Sequence, residues 1–200
     1  MKNLTHPRAH KGFSLVELLV VITIIAVLAG ASYPAIIGAI KTAKIAEGKK
    51  VANDIIVAIE NFEHKYEYLP YPSGTSPDGL AVYTTDNADL LDVLMGQEST
   101  PDINPNNMSF FAGKTASKGV NGIIYSGEDP EELVDPWGFH FIIAIDYTGE
   151  NEIDLGDVTE FNDAYLENGG SSTIARSRPA VVASPGPDQQ FDDIDDVKSW

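Results

Sequence analysis

Twenty-eight consecutive residues, Phe13 to Ile40, read FSLVELLVVITIIAVLAGASYPAIIGAI and carry one formal charge, Glu17. As a helix this run reaches roughly 42 Å at ~1.5 Å per residue, enough to cross a ~30 Å hydrocarbon core. A soluble domain rarely holds so long an uncharged stretch, which weighs against a buried core helix. A cleaved secretory signal is the other alternative, with Ala29-Gly30-Ala31 as a small-residue cleavage site. The apolar run continues past that site, however, and Glu17 sits where a signal peptide wants only apolar residues. A membrane-spanning helix accommodates both facts. Charge does not orient it: Lys2, Arg8 and Lys11 precede the span, and Lys41, Lys44, Lys49 and Lys50 follow it.

The helical pattern runs on beyond Ile40. Ile45, Ala52, Ile55, Ile56, Ile59, Phe62 and Tyr66 recur at three- and four-residue spacing, with Lys49, Lys50, Asp54, Glu60, Glu63 and Lys65 between them. That is an amphipathic helix with one apolar stripe, stopped by Leu69-Pro70 and Pro72-Ser73-Gly74. Phe13 to Tyr66 therefore reads as one helix of about 80 Å. Pro34 lacks an N–H, and Gly30 and Ser32 loosen the same turn, so a kink or local unwinding near residues 30–35 is expected.

The remainder is a different kind of sequence. Residues 66–200 hold five basic and 25 acidic residues, a net charge of −20. Such a surface repels phosphate, so nucleic acid is not an expected partner. With no cysteine, disulfides, thiol nucleophiles and Cys-ligated metals are excluded. Asp86 to Leu94 reads as a short helix ended by Gly96, and residues 98–122 as loop anchored by Phe110 and Phe111. Gly138 to Tyr147 reads as a strand, with a turn at 148–151 and a returning strand near Glu152. Residues 156–175 read as an excursion loop. Arg178 to Ala183 reads as a last strand, confined to a sheet edge by Pro179, and the final 17 residues as an aspartate-rich loop.

Catalytic templates fail. Gly113-Lys114-Thr115 lacks the glycine that a phosphate-binding loop needs, because Met108 holds that position. His6, His10, His64 and His140 have no metal-site spacing. Acid pairs suited to glycoside hydrolysis are as numerous as any solvated acidic surface would supply. The expectation is a non-enzymatic protein.

Glu17 needs a reason to exist. A carboxylate at the centre of a span costs about 2.5–3.5 kcal/mol on insertion scales, less near the edge, and calls for a named partner. Cleavage between Gly12 and Phe13 would create one, the new α-amine on Phe13. The stretch GFSLVELLVVITIIAVLAGASYP resembles the class III signal and N-terminal helix of type IV pilins and type II secretion pseudopilins, with Gly12 before the cut, Phe13 after it, and Glu17 and Pro34 in the family's positions. The resemblance implies cleavage by a prepilin peptidase, N-methylation of Phe13 and self-association into a helical filament. It implies an inner-membrane, single-pass protein with its leader in the cytoplasm and its head in the periplasm.

Two further stretches are similar to the major pseudopilin of that secretion system: Asp135-Pro136-Trp137-Gly138, and Ser184-Pro185-Gly186-Pro187-Asp188 with an acidic run ending on Trp200. That branch holds calcium in the C-terminal loop. Carried over, the resemblance gives Asp188, Asp195 and Asp196 as side-chain ligands and Pro185 and Asp193 as carbonyl ligands. Gln189, Gln190 and Phe191 depart from the family's glycine-rich loop.

The expected fold is α+β and pilin-like, a long N-terminal helix packed on a small antiparallel β-sheet head. Residues 1–12 are the leader, 13–40 the transmembrane or filament-core helix, 41–68 the amphipathic helix and 69–200 the head. The expected role is a structural subunit of a type II secretion pseudopilus, alongside other pseudopilins, an inner-membrane secretion platform and membrane lipid. A type IV pilin for adhesion, motility or DNA uptake, and a membrane-tethered periplasmic protein that never polymerises, are the alternatives.

Overall fold

Leu15–Tyr66 form a single helix, α1, in the computed structural model, which describes residues 13–84, 87–97, 102–150, 152–154, 174–176, 178–189 and 196–199. The chain divides into two compact units, Met1–Thr42 and Ala43–Trp200, so α1 contributes to both.

In the first unit every described side chain is exposed. Leu15 to Ile40 is long and apolar enough to cross a membrane. The serine and threonine hydroxyls of this part of the helix cost little there, because each bonds back to its own helix: Thr23 to the Leu19 carbonyl at 2.8 Å, Ser32 to Leu28 at 2.8 Å and Thr42 to Gly38 at 3.0 Å. Pro34 lies inside the helix, and helical structure continues through residues 30–35. The expected unwinding is therefore absent. The proline removes one donor, and the remaining hydrogen bonds on either side hold the turn together.

In the second unit α1 buries Gly48, Ala52, Ile55, Ile56, Ala58, Ile59 and Phe62. This is the apolar stripe that the spacing predicts. It covers one face of an antiparallel sheet of four strands: β1 (Leu80–Tyr83), β4 (Ile142–Asp146), β7 (Ala180–Ser184) and β8 (Val197–Lys198), in the order β1-β4-β7-β8. Ile143, Ile145, Ala180 and Val182 join the helix side of the core, while Ile142, Ala144, Val181 and Ala183 pack on the other face with Ile153. A second helix, α2 (Asn87–Met95), adds Leu90, Leu91, Val93 and Leu94 to the core. Gly96 ends it at φ +69°, a conformation that glycine adopts without strain.

Several sequence expectations change here. The strand expected from residue 138 begins at Ile142, because Asp135 to Gly138 form a turn. The strand near 152, β5 (Glu152–Asp154), pairs with β6 (Ile174–Arg176), since both sides of β4 are already taken by β1 and β7. Of the stretch 98–122, the described residues 102–121 are largely loop, and a hairpin of β2 (Gly122–Ser126) and β3 (Asp129–Val134) follows directly. The last described strands overturn two expectations. β7 is an inner strand, not an edge. Pro179 precedes its first residue and so removes no ladder donor, while its carbonyl accepts the Asp146 N–H at 2.8 Å. The C-terminal stretch is not wholly loop, since it holds a 3-10 turn at Gly186–Asp188 and β8, which pairs with β7. Asp86 and most of the 156–175 excursion lie outside the described residues.

Buried polar groups are used as struts. Asn87 reaches the Leu133 N–H and the carbonyls of Leu133 and Phe141. Asn104 accepts from the Tyr66 hydroxyl at 2.8 Å and donates to the carbonyls of Val93 and Met108. Tyr147 donates to the Pro70 carbonyl and meets the Tyr83 hydroxyl, and burial with that contact pushes its own hydroxyl pKa far up.

Candidate functional site

Two sites follow from the sequence, one in each unit. At the start of α1 the Ser14 hydroxyl accepts the Val16 N–H at 3.3 Å, and Glu17 Oε2 accepts the Ser14 N–H at 2.9 Å. This is a capping box: Ser14 is the N-cap, and the acid three residues on reaches back to it. The Glu17 carboxylate thereby satisfies a backbone donor and stands at the positive end of the helix dipole. Ser14 was not singled out by the sequence reasoning, although serine three residues before a glutamate, ahead of an apolar run, is the signal for this arrangement. Phe13 is exposed, and Gly12 lies outside the described residues.

The second site joins two stretches that are far apart in sequence. Asp135 is fully buried. Its Oδ1 accepts the N–H groups of Trp137 at 2.7 Å and Phe139 at 2.9 Å, and its Oδ2 accepts the Ser184 hydroxyl. The Gly138 N–H closes the turn onto the Asp135 carbonyl at 3.1 Å, with Gly138 at φ +96°. Ser184 Oγ in turn accepts the Gly186 N–H at 3.4 Å. One carboxylate therefore shapes the Asp135–Gly138 turn and ties it to the start of the C-terminal segment.

The helix α1 packs against the same place. Lys44 donates to the Pro136 carbonyl at 3.0 Å and lies 5.6 Å from the Trp137 ring centre, a cation–π distance. Gly48 leaves the room that Val197 needs, because a Cβ on Gly48 would fall 2.7 Å from Val197 Cγ2. The Ser199 hydroxyl accepts the Val182 N–H at 2.8 Å, and the Ser199 carbonyl accepts from Arg178 at 3.0 Å. The C-terminal strand is thus held by sheet pairing, a helix notch and side-chain hydrogen bonds together.

Of the residues assigned to calcium, Asp188 is exposed and Pro185 half-buried, while Asp193 and Asp195 lie outside the described residues. Asp196 is buried, and its Oδ2 is 2.8 Å from Lys198 Nζ. The Lys198 ammonium already neutralises this carboxylate, so a metal ion there would have to compete with the lysine. Among the described residues no group of three or more acids and histidines is placed to hold a metal.

Residues 7–33 match the family model of the prokaryotic N-terminal methylation motif. The methylation motif covers residues 7–12 of the expected leader, then Phe13, Glu17 and the helix as far as Tyr33. It supports a type IV pilin-like or pseudopilin-like protein, and it implies leader processing and filament assembly in general terms. With the apolar half of α1, it points to anchoring in a membrane through the N-terminus. No curated protein and no solved structure gives a match to the chain.

Proposed function

We propose that this protein is a non-enzymatic structural subunit of a type II secretion pseudopilus, which helps move folded proteins across the outer membrane. The pilin-like part of this reading rests on the methylation motif. Its narrowing to secretion is carried by one observation. Asp135 of the Asp-Pro-Trp-Gly turn accepts the hydroxyl of Ser184, which opens the Ser-Pro-Gly-Pro-Asp tail. The two stretches that resemble the major pseudopilin thus form one structure. Loss of the protein should strand folded exoproteins in the periplasm and leave surface pili intact. Loss of surface pili with normal secretion would place it among the pilins instead.

Processing is the nearest prediction. Intact mass should show a mature chain that begins at N-methylated Phe13, lacking residues 1–12. Gly12→Glu should leave the precursor uncut, since only a small residue fits ahead of the scissile bond. Cleavage after Ala31, or none, would end the filament reading.

Calcium belongs to the same proposal. Asp188, Asp195 and Asp196 would hold it through carboxylates, and Pro185 and Asp193 through carbonyls. The hard oxygen donors are those Ca²⁺ prefers, and its charge would relieve repulsion in the acidic tail. Millimolar calcium should raise the melting temperature of the full chain relative to chelator, by preferential binding to the folded state. Asp195→Ala with Asp196→Ala should erase the difference. An equal shift with magnesium would mean general screening of a −20 surface rather than a site.

A further inference from the structure

We propose that the lysine-rich end of the head, formed by Lys44, Lys49, Lys50, Lys114 and Lys118 beside Trp137, docks on anionic phospholipid headgroups. The inference rests on the reading that residues 13–40 span a bilayer.

Charge segregation is the first observation. Residues 43–200 hold nine basic and 29 acidic residues, and five of the nine are these lysines. With Glu47 and Asp54 interleaved, the patch is +3, while the rest of the head is −23. A surface so acidic elsewhere would be pushed away from an anionic membrane. This patch is the part of it that would be drawn in.

The fold holds the five together. Lys44, Lys49 and Lys50 lie within two turns of α1. Lys114 pairs with Glu47, and Lys50 with Asp54 at 2.5 Å. Lys50 and Lys114 both line a groove of about 240 Å³ floored by Val51, Phe111 and Leu133. The turn that carries Lys118 is pinned by Ser117 to Val120 hydrogen bonds, and Asn121 N–H donates to the Asp135 carbonyl at 2.7 Å. That contact sets the turn beside Pro136 and Trp137, where Lys44 reaches. The hydrogen bond from Lys114 holds the Glu47 carboxyl below its usual range, against a smaller effect of burial, so Glu47 stays charged and leaves the lysines in excess. Lys49 and Lys118 are exposed.

Position along the chain selects lipid over an acidic protein. Lys44 follows the last residue of the apolar run, Ile40, by four positions, so the patch includes the first lysine of the head after the span in the chain. Lysine stems lie along apolar surface with their ammonium in the headgroup layer, and tryptophan favours the same layer. Trp137 is half-buried among these groups.

The test uses the full chain in nanodiscs, of phosphatidylcholine alone or mixed with phosphatidylglycerol, with amine labelling read lysine by lysine by mass spectrometry. Labelling of Lys49 and Lys118 should slow about fivefold in the anionic discs, the factor expected for one lysine at an anionic surface. Lys65, outside the patch, should not change. High salt, near 1 M, where the screening length falls to ~3 Å, should remove the effect. Equal rates in both discs would overturn the proposal. So would protection independent of lipid charge that grows with copies per disc, which would assign the lysines to the acidic face of a second copy. Failure of the chain to enter the discs would instead overturn the spanning reading, and this proposal with it.

Discussion

Glu17→Val subunits are expected to insert and to be cleaved normally, yet to enter filaments about a hundredfold less well than native subunits. In a filament core the Phe13 amine of one subunit needs an anion, and Glu17 is the only acid in the apolar run. Removing one member of a buried ion pair costs about 3–5 kcal/mol, because the charge left behind keeps its desolvation penalty. Even the lower figure exceeds a hundredfold in an association constant. The capping box complicates the inference, since Glu17 also accepts the Ser14 N–H and so starts the helix. A lost cap costs about 1 kcal/mol and would act on folding of the helix end rather than on its partner. Glu17→Gln separates the two roles. It keeps an acceptor for the Ser14 N–H and loses the charge. Assembly measured by crosslinking should fail for glutamine as for valine. Normal assembly of the glutamine variant would mean that capping suffices and that no charge pair forms.

The capping box also shows what the sequence could and could not tell. The long helix was legible because its apolar pattern is local: each turn predicts the next. The stripe from Ala52 to Phe62 points where the spacing requires. Sheet order was not legible, because it is decided by contacts between residues far apart. Pro179 looked like an edge marker, but the strand starts one residue later and β8 supplies its second neighbour. The hairpin of β2 and β3 went unread because Pro130, Glu131 and Glu132 carry no strand-like alternation. Its pairing, interrupted by an irregularity at Ile124/Tyr125, supplies what the pattern lacks. The Asp135 turn was read as a signature, yet its tie to Ser184 spans 49 positions and leaves no local mark.

That tie makes Asp135 a polar position where one substitution should cost as much stability as truncating a large core side chain. Its carboxylate is fully buried and accepts from Trp137 N–H, Phe139 N–H and the Ser184 hydroxyl. Asp135→Ala leaves all three donors in a site without an acceptor. Hydrogen bonds to a charged group are worth about 1.5–3 kcal/mol each, and each orphaned buried donor costs about 1–3 kcal/mol, though losses within one network do not add. A total near 4 kcal/mol is expected, which lowers the melting temperature of a chain this long by about 10 °C. The same cut frees the Asp135–Gly138 turn and with it Lys44's acceptor on Pro136, so Trp137 fluorescence should shift towards that of a solvated indole. Asp135→Asn is the control for volume. It retains one oxygen for the two turn N–H groups, and the Ser184 hydroxyl can turn to accept from the new amide. Asparagine should therefore recover more than half of the lost stability. Loss for asparagine equal to that for alanine would show that the charge, rather than the pattern of acceptors, holds the turn to the C-terminal segment. No loss for either would mean that β7–β8 pairing and the Gly48 notch hold that segment alone.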